Sequence, residues 1–260
     1  MKSFFRALEQ FGVRYLLISG QASVLYGAST FSEDVDLWVD PETSNWQGLL
    51  RALGHSRARV YKLTPPLQRE YALHGHGFHF TLPDEDFAMA ASYLDVMGVP
   101  PRVGSFRMAY RQGRYFRTEW GKLPVLHPTD LVEIKKTRRL SDYAVISSLV
   151  RIECRRLRSR KQWEWGLNQM FEAEDLMTLW ERGKAVWRKG FRSGRPALKV
   201  LQTRGPYETL QQKISLALAR EIEALRQKDR KYWQPIVAEL KKLRDNGRLI
   251  EEGIRVRSAC

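Results

Sequence analysis

The feature that constrains this chain most is a six-residue stretch, Asp34-Val35-Asp36-Leu37-Trp38-Val39, in which polar and apolar positions alternate. A period of two puts Asp34, Asp36 and Trp38 on one face of a strand and Val35, Leu37 and Val39 on the other. Burying the aliphatic face obliges both carboxylates to stand together on the open one. Two like charges at i and i+2 repel, and a strand with only a structural role gains nothing from them. A divalent cation removes that cost, and Mg²⁺ prefers hard oxygen ligands of this kind. Just upstream, the apolar run Tyr15 to Ile18 suits a buried strand and Gly20 permits a tight turn. Ala22, Leu25 and Tyr26 then give a short helical face that Gly27 ends.

Gly20-Gln21 followed by Ser32-Glu33-Asp34-Val35-Asp36 resembles the nucleotidyltransferase signature of the DNA polymerase β superfamily. That signature is a Gly and a small residue at a strand-to-helix turn, then Ser or Thr, any residue, Asp, an apolar residue and Asp. Within the superfamily the chain is most similar to the AbiEii-type, toxin-like bacterial nucleotidyltransferases. Gln21 departs from the pattern, which usually carries Gly or Ser there, and a larger amide is expected to narrow the turn. The resemblance implies an α+β fold: a polymerase β-like mixed sheet flanked by helices, with a helical C-terminal domain. It also implies transfer of a nucleoside monophosphate from a nucleoside triphosphate (NTP) to an acceptor hydroxyl, with two Mg²⁺ ions.

In that scheme Asp34 and Asp36 hold metal, and a third carboxylate comes from a later strand in an apolar setting. Asp95, within Ser92-Tyr93-Leu94-Asp95-Val96-Met97-Gly98, matches that position. Asp84, Glu85 and Asp86 sit in a turn-like context that would hold such a geometry less rigidly. Ser19, Gly20 and Gln21 are expected at the nucleotide's phosphates, with Ser32 orienting the aspartate-bearing turn. Further on, Asp130-Leu131, Lys135, Arg139 and Asp142 resemble the AbiEii-type element Asp-Leu-x₃-Lys…Arg-x-x-Asp. There Lys135 is implied to meet phosphates, and Arg139 and Asp142 to brace two helices and the site. The resemblance ends near residue 153, which divides the chain into a nucleotidyltransferase domain, 1–153, and a helical C-terminal domain, 154–260.

Charge separates the two parts. Residues 151–260 hold 26 Lys/Arg against 14 Asp/Glu, a net of +12 out of +15 for the whole chain. A basic region beside a site for phosphates points to a polyanion, and RNA is the expected acceptor. Arg155, Arg156, Arg158, Arg160 and Lys161, followed by Trp163 and Trp165, form the densest run and the expected nucleic-acid contact; a solvated helix face accounts for the same run. Relatives of the AbiEii type are toxins of toxin–antitoxin pairs, so an antitoxin-like partner and a role in phage defence come with the resemblance. Protein nucleotidylylation is the second reading, and a catalytically idle binding component the third. Neither a membrane-spanning run nor a signal-peptide pattern is present, and Cys154 and Cys260 form no ligand spacing; a reduced, cytoplasmic protein without membrane contact is expected.

The remaining elements follow from periodicity. Phe4, Phe5, Leu8 and Phe11 make one helical face before Gly12, and Trp46, Leu49, Leu50 and Leu53 another, entered through Asp40-Pro41. Arg59–Leu63 reads as a strand. Tyr71–Leu82 carries His74 and His76, expected on one face of a strand, with His79 on the opposite face; the three suit half-buried imidazoles or a nucleotide contact better than a transition-metal site. Ser105–Tyr110, Arg114–Thr118 and Leu123–Leu126 read as short strands. Helices are expected over 142–152, 172–187 and 208–227, with a last one around Pro235, and a loop over 190–205.

Overall fold

The structure, a computed structural model, describes residues 1–83, 91–155, 158–184 and 191–257. In chain order their elements are α1 (Lys2–Gln10), β1 (Tyr15–Ile18), α2 (Ser19–Leu25), β2 (Asp34–Val39), α3 (Thr43–His55), β3 (Arg59–Val60) and α4 (Arg69–Leu73). Next come β4 (Gly77–Pro83), β5 (Ala91–Met97), α5 (Phe106–Gln112), β6 (Arg114–Thr118), β7 (Gly121–Val125) and α6 (Pro128–Ile134). The rest is helical: α7 (Ser141–Glu153), α8 (Arg160–Gln169), α9 (Ala173–Lys184), α10 (Pro196–Leu201) and α11 (Tyr207–Asp245). The chain divides into two compact units. One holds Met1–Leu25, Thr30–Ile134 and Tyr232–Cys260, and the other Tyr26–Ser29 and Lys135–Lys231. The second unit therefore starts at Lys135, where the sequence reading puts a boundary after residue 153, and the C-terminal segment belongs to the first. By sequence the second unit carries 24 Lys/Arg against 11 Asp/Glu, a net of +13.

The first unit is α+β. Its described strands form one seven-stranded mixed sheet in the order β3-β4-β5-β2-β1-β7-β6. Along β4 and β2 the half-buried positions are His79, Thr81, Asp34 and Asp36, and the buried ones between them Phe78, Phe80, Leu82, Val35 and Leu37. The apolar face packs on helices: Trp46 of α3 lies 5.1 Å, ring to ring, from Phe78, and Phe5 of α1 lies 5.8 Å from Tyr15. Each fully buried Leu, Val or Phe there contributes roughly 1.5–3 kcal/mol. Asn45 ties the entry of α3 to the sheet, accepting from the Arg14 amide and donating to the Arg14 and Asp40 carbonyls. The edge strand β3 is covered by the C-terminal segment, where Val60 N donates to Ile254 O and Gly253 N to Val60 O, both at 2.8 Å.

The second unit is helical among its described residues. Trp163 is fully buried, its indole donating to Leu179 O at 2.9 Å and its ring stacked 5.9 Å from Trp180. A Cβ on Gly183 would lie 1.9 Å from the Trp163 indole nitrogen, so only glycine lets α9 come this close. Arg195 is buried beneath α11, ion-paired to Glu221 at 2.8 Å and donating to the Leu167 and Met170 carbonyls. Burial pulls its pKa down while Glu221 opposes the shift. No described helix is long and apolar enough to cross a membrane.

Several expected elements come out differently. Phe106–Tyr110, read as a strand, lies within α5, where Phe106 and Tyr110 stack at i and i+4 and Phe106 meets Trp38 edge-on at 5.5 Å. Helix α3 is capped by Glu42, whose carboxylate accepts from Asn45 N, instead of by Asp40 ahead of Pro41. His74 caps α4 and His76 precedes β4, so the two do not share a strand face. The stretch 190–205 contains α10, and the helices expected at 208–227 and around Pro235 are one helix, α11, with Pro235 inside it.

Candidate active site

Strand pairing assembles the site. β2 and β5 run parallel with Asp34 opposite Tyr93 and Asp36 opposite Asp95. β5 and β4 run antiparallel with Asp95 opposite His79 and Tyr93 opposite Thr81. Partners across a ladder share a face on strands about 4.8 Å apart, so one face carries two polar rows: Asp36, Asp95 and His79, and Asp34, Tyr93 and Thr81. All six are half-buried, and the neighbouring positions on the same strands face the apolar side. The three carboxylates singled out in the sequence are thus brought to one surface. His79 Nδ1 lies 2.8 Å from Asp95 Oδ1 and fixes that carboxylate's orientation.

β1 brings the turn to the same place. It runs antiparallel to β2 with Ile18 opposite Asp36, so the Ser19–Gly20 turn opens beside the aspartates. Ser19 sits at φ 57, a left-handed conformation that costs a non-glycine residue of order 1–2 kcal/mol. Ser23 Oγ donates to Ser19 O at 2.8 Å and holds the turn closed from the helix side. A Cβ on Gly20 would lie 2.1 Å from Ser32 Oγ, so the loop before β2 presses directly on this glycine. Gln21 braces the same loop: its amide donates to Ser32 O at 2.9 Å, and Ser32 Oγ donates to Asp34 O at 3.2 Å. The larger side chain at position 21 is therefore engaged with the backbone of the aspartate-bearing loop.

Asp34, Asp36 and Asp95 offer only oxygen, a donor set suited to Mg²⁺ and poor for transition metals. Among the described residues, no three His, Cys, Asp or Glu side chains converge as they stand to hold a metal ion. The fit of Mg²⁺ therefore rests on the Asp34–Asp36 pair, with Asp95 on the adjoining strand. His79 does not join the other two histidines of its stretch: His74 and His76 both approach Glu239, at 3.5 and 2.9 Å, whereas His79 is held by Asp95. The hydrogen bond from His76 is the main reason the Glu239 carboxyl lies below the usual range.

Lys135, Arg139 and the basic run belong to the second unit. Lys135 is buried and its ammonium donates to Asp142 Oδ1 at 3.0 Å, while Thr137 Oγ1 donates to Asp142 Oδ2. Asp142 thus holds Lys135, where the resemblance implied that Asp142 and Arg139 brace two helices and the site. Arg139 has an exposed side chain, and its backbone amide donates to Thr137 Oγ1. Arg155, Arg158, Arg160 and Lys161 are exposed, Arg160 being paired with Glu164 at 2.8 Å. Arg156, Asp84, Glu85 and Asp86 lie outside the described residues. Trp163 is core, so this tryptophan offers no stacking surface.

The sequence reading did not find the His79–Asp95 contact or the place of Tyr93 beside Asp34. The available signal was the hairpin: β4 and β5 alternate in phase about one connection, which sets His79 across from Asp95 once the two are paired. No protein-family profile matches the chain, and none of the curated proteins is similar to it. Among solved structures the chain is similar to the crystal structure of an antigenic nucleotidyltransferase-like protein from Paracoccidioides brasiliensis, at 15% identity and a TM-score of 0.40, over 93% of this chain and 89% of that one. A likeness at that level assigns neither a family nor an activity.

Proposed function

We propose that the chain is a Mg²⁺-dependent nucleotidyltransferase that moves a nucleoside monophosphate from an NTP to an RNA hydroxyl, releasing pyrophosphate. The observation that carries this reading is the register setting Asp36 beside Asp95 on the face that bears Asp34, next to the Ser19–Gly20 turn. Asp34 and Asp36 would hold the metal, which when bound supplies positive charge to the triphosphate and to the attacking and leaving oxygens. Asp95, oriented by His79, would accept the acceptor hydroxyl's proton. The backbone of Ser19 to Gln21 would receive the phosphates, and Ser32 and Gln21 would keep the aspartate-bearing loop pressed against that turn.

RNA is favoured as acceptor by the +13 balance of the second unit, a field that draws polyanions irrespective of sequence. Arg155, Arg156, Arg158, Arg160 and Lys161 are its proposed contacts. A toxin role with an antitoxin-like partner belongs to the same proposal through the AbiEii-type resemblance. The test is incubation of purified protein with total RNA, Mg²⁺ and each α-labelled NTP in turn. Label on one RNA size class, absent for Asp36→Asn and without Mg²⁺, is expected. Equal labelling by Asp36→Asn would overturn the site, and label on protein alone would replace RNA by a protein acceptor.

A further inference from the structure

The open face of the sheet continues beyond the carboxylates. Tyr93, opposite Asp34, has its ring 4.9 Å from that of Tyr61 at a 39° tilt. Tyr61 follows β3 directly, its amide donating to His79 O at 2.8 Å, so it joins the row that holds Asp95. The Lys62 ammonium lies 4.7 Å from the Tyr61 ring centroid, and Lys62 itself is exposed and held at φ 58. Left-handed backbone at a non-glycine residue persists only where the surroundings enforce it, and such strain gathers at ligand clamps. Beside this group is a cavity of about 760 Å³, bounded by Lys62, His79, Leu240, Arg244 and Ile250. Lys62 and Arg244 are its basic lining residues, and Glu251 and Glu252 line it as well.

An acceptor whose hydroxyl reaches Asp95 must lie over the side chains around it, and here those are two half-buried aromatic rings and a lysine. Aromatic rings next to cations bind single-stranded nucleic acid by stacking bases while the cations meet the backbone. We propose that Tyr93, backed by Tyr61, is the stacking platform for the terminal base of a single-stranded RNA acceptor. Lys62 meets the adjoining phosphate, and the cavity beside His79 takes the next nucleotide. The chemistry done on that RNA end rests on the nucleotidyltransferase reading; the binding does not.

The test measures binding of a short fluorescein-labelled single-stranded RNA to the full chain by anisotropy, beside thermal stabilisation by Mg²⁺ with NTP. Tyr93→Leu is expected to weaken RNA binding roughly ten- to a hundredfold, the range of one base–aromatic stack, while Tyr93→Phe keeps it. Lys62→Gln should lower the slope of log K against log salt by about one. Equal RNA affinity for Tyr93→Leu and wild type would overturn the platform, as would a duplex binding as tightly as the single strand. Should Tyr93→Leu not fold, Tyr61→Leu decides in its place, because unchanged RNA affinity there overturns the platform equally. Absence of any Mg²⁺–NTP stabilisation in wild type would instead sink the transferase reading and leave the platform standing on the RNA titration.

Discussion

Substitution at Asp142 should lower the melting midpoint of the chain. Its carboxylate takes the Lys135 ammonium at 3.0 Å and the Thr137 hydroxyl, and the side chains of Lys135 and Asp142 are each 11% exposed. Removing one partner of a buried pair leaves the other charge desolvated and unpaired, a cost of about 3–5 kcal/mol. A little solvent reaches both groups here, so the lower end, about 3 kcal/mol, is expected for Asp142→Asn. In a chain of this size each kcal/mol moves the midpoint by roughly 2–4 °C, which puts the fall at roughly 6–12 °C. The double variant Lys135→Met with Asp142→Leu should recover most of that, because an apolar pair of similar volume avoids desolvation altogether. The assay is calorimetry on wild type, both single variants and the double, read as a mutant cycle. Singles that melt with wild type, or a coupling below about 0.5 kcal/mol, would refute the reasoning. If Lys135→Met kept its midpoint but lost transfer activity, the lysine would act on phosphate and not on the fold.

Four further outcomes are expected. Gly20→Ala forces a Cβ to within 2.1 Å of Ser32 Oγ and should cost about 1–3 kcal/mol, most of it restored by Ser32→Gly; denaturant melts of the single and double variants check this. At the neighbouring position, Ser19→Gly relieves the φ of 57 and should stabilise by up to about 1 kcal/mol, a gain that an unchanged melt would contradict. Neutralising Arg155, Arg156, Arg158 and Arg160 should flatten the salt dependence of RNA binding by about two in log–log slope, less than four full contacts because Glu164 already pairs Arg160; an unchanged slope would return the run to a solvated face. Burial pushes the Cys154 thiol up to about 12, so iodoacetamide at pH 8 should leave it unmodified in the native chain and alkylate it in urea, as read by peptide mass mapping.

The sequence by itself determined the faces. Period-two alternation in Asp34–Val39 sends the two carboxylates one way and the aliphatics the other whatever the rest of the chain does, because adjacent strand residues must point oppositely. The same local logic marks Tyr15–Ile18 as a buried strand and Asp95 as a polar residue between buried Leu94 and Val96. Tertiary structure decided what those faces meet. That Asp95 stands beside Asp36, with His79 on its other side, depends on the registers of three strands, and no local pattern carries the register of a parallel pair. Phe106–Tyr110 has the alternation of a strand yet forms a helix, since Phe106 then covers Trp38, a large side chain that the carboxylate face would otherwise leave in water. Trp163 follows a run of arginines and reads as a nucleic-acid residue, yet Gly183 gives it a fully buried place against Trp180. Lys135 reads as a phosphate contact, and the fold ties it to Asp142. In each case the deciding partner is distant in sequence or on another element, and burial and pairing are settled only once the chain has closed on itself.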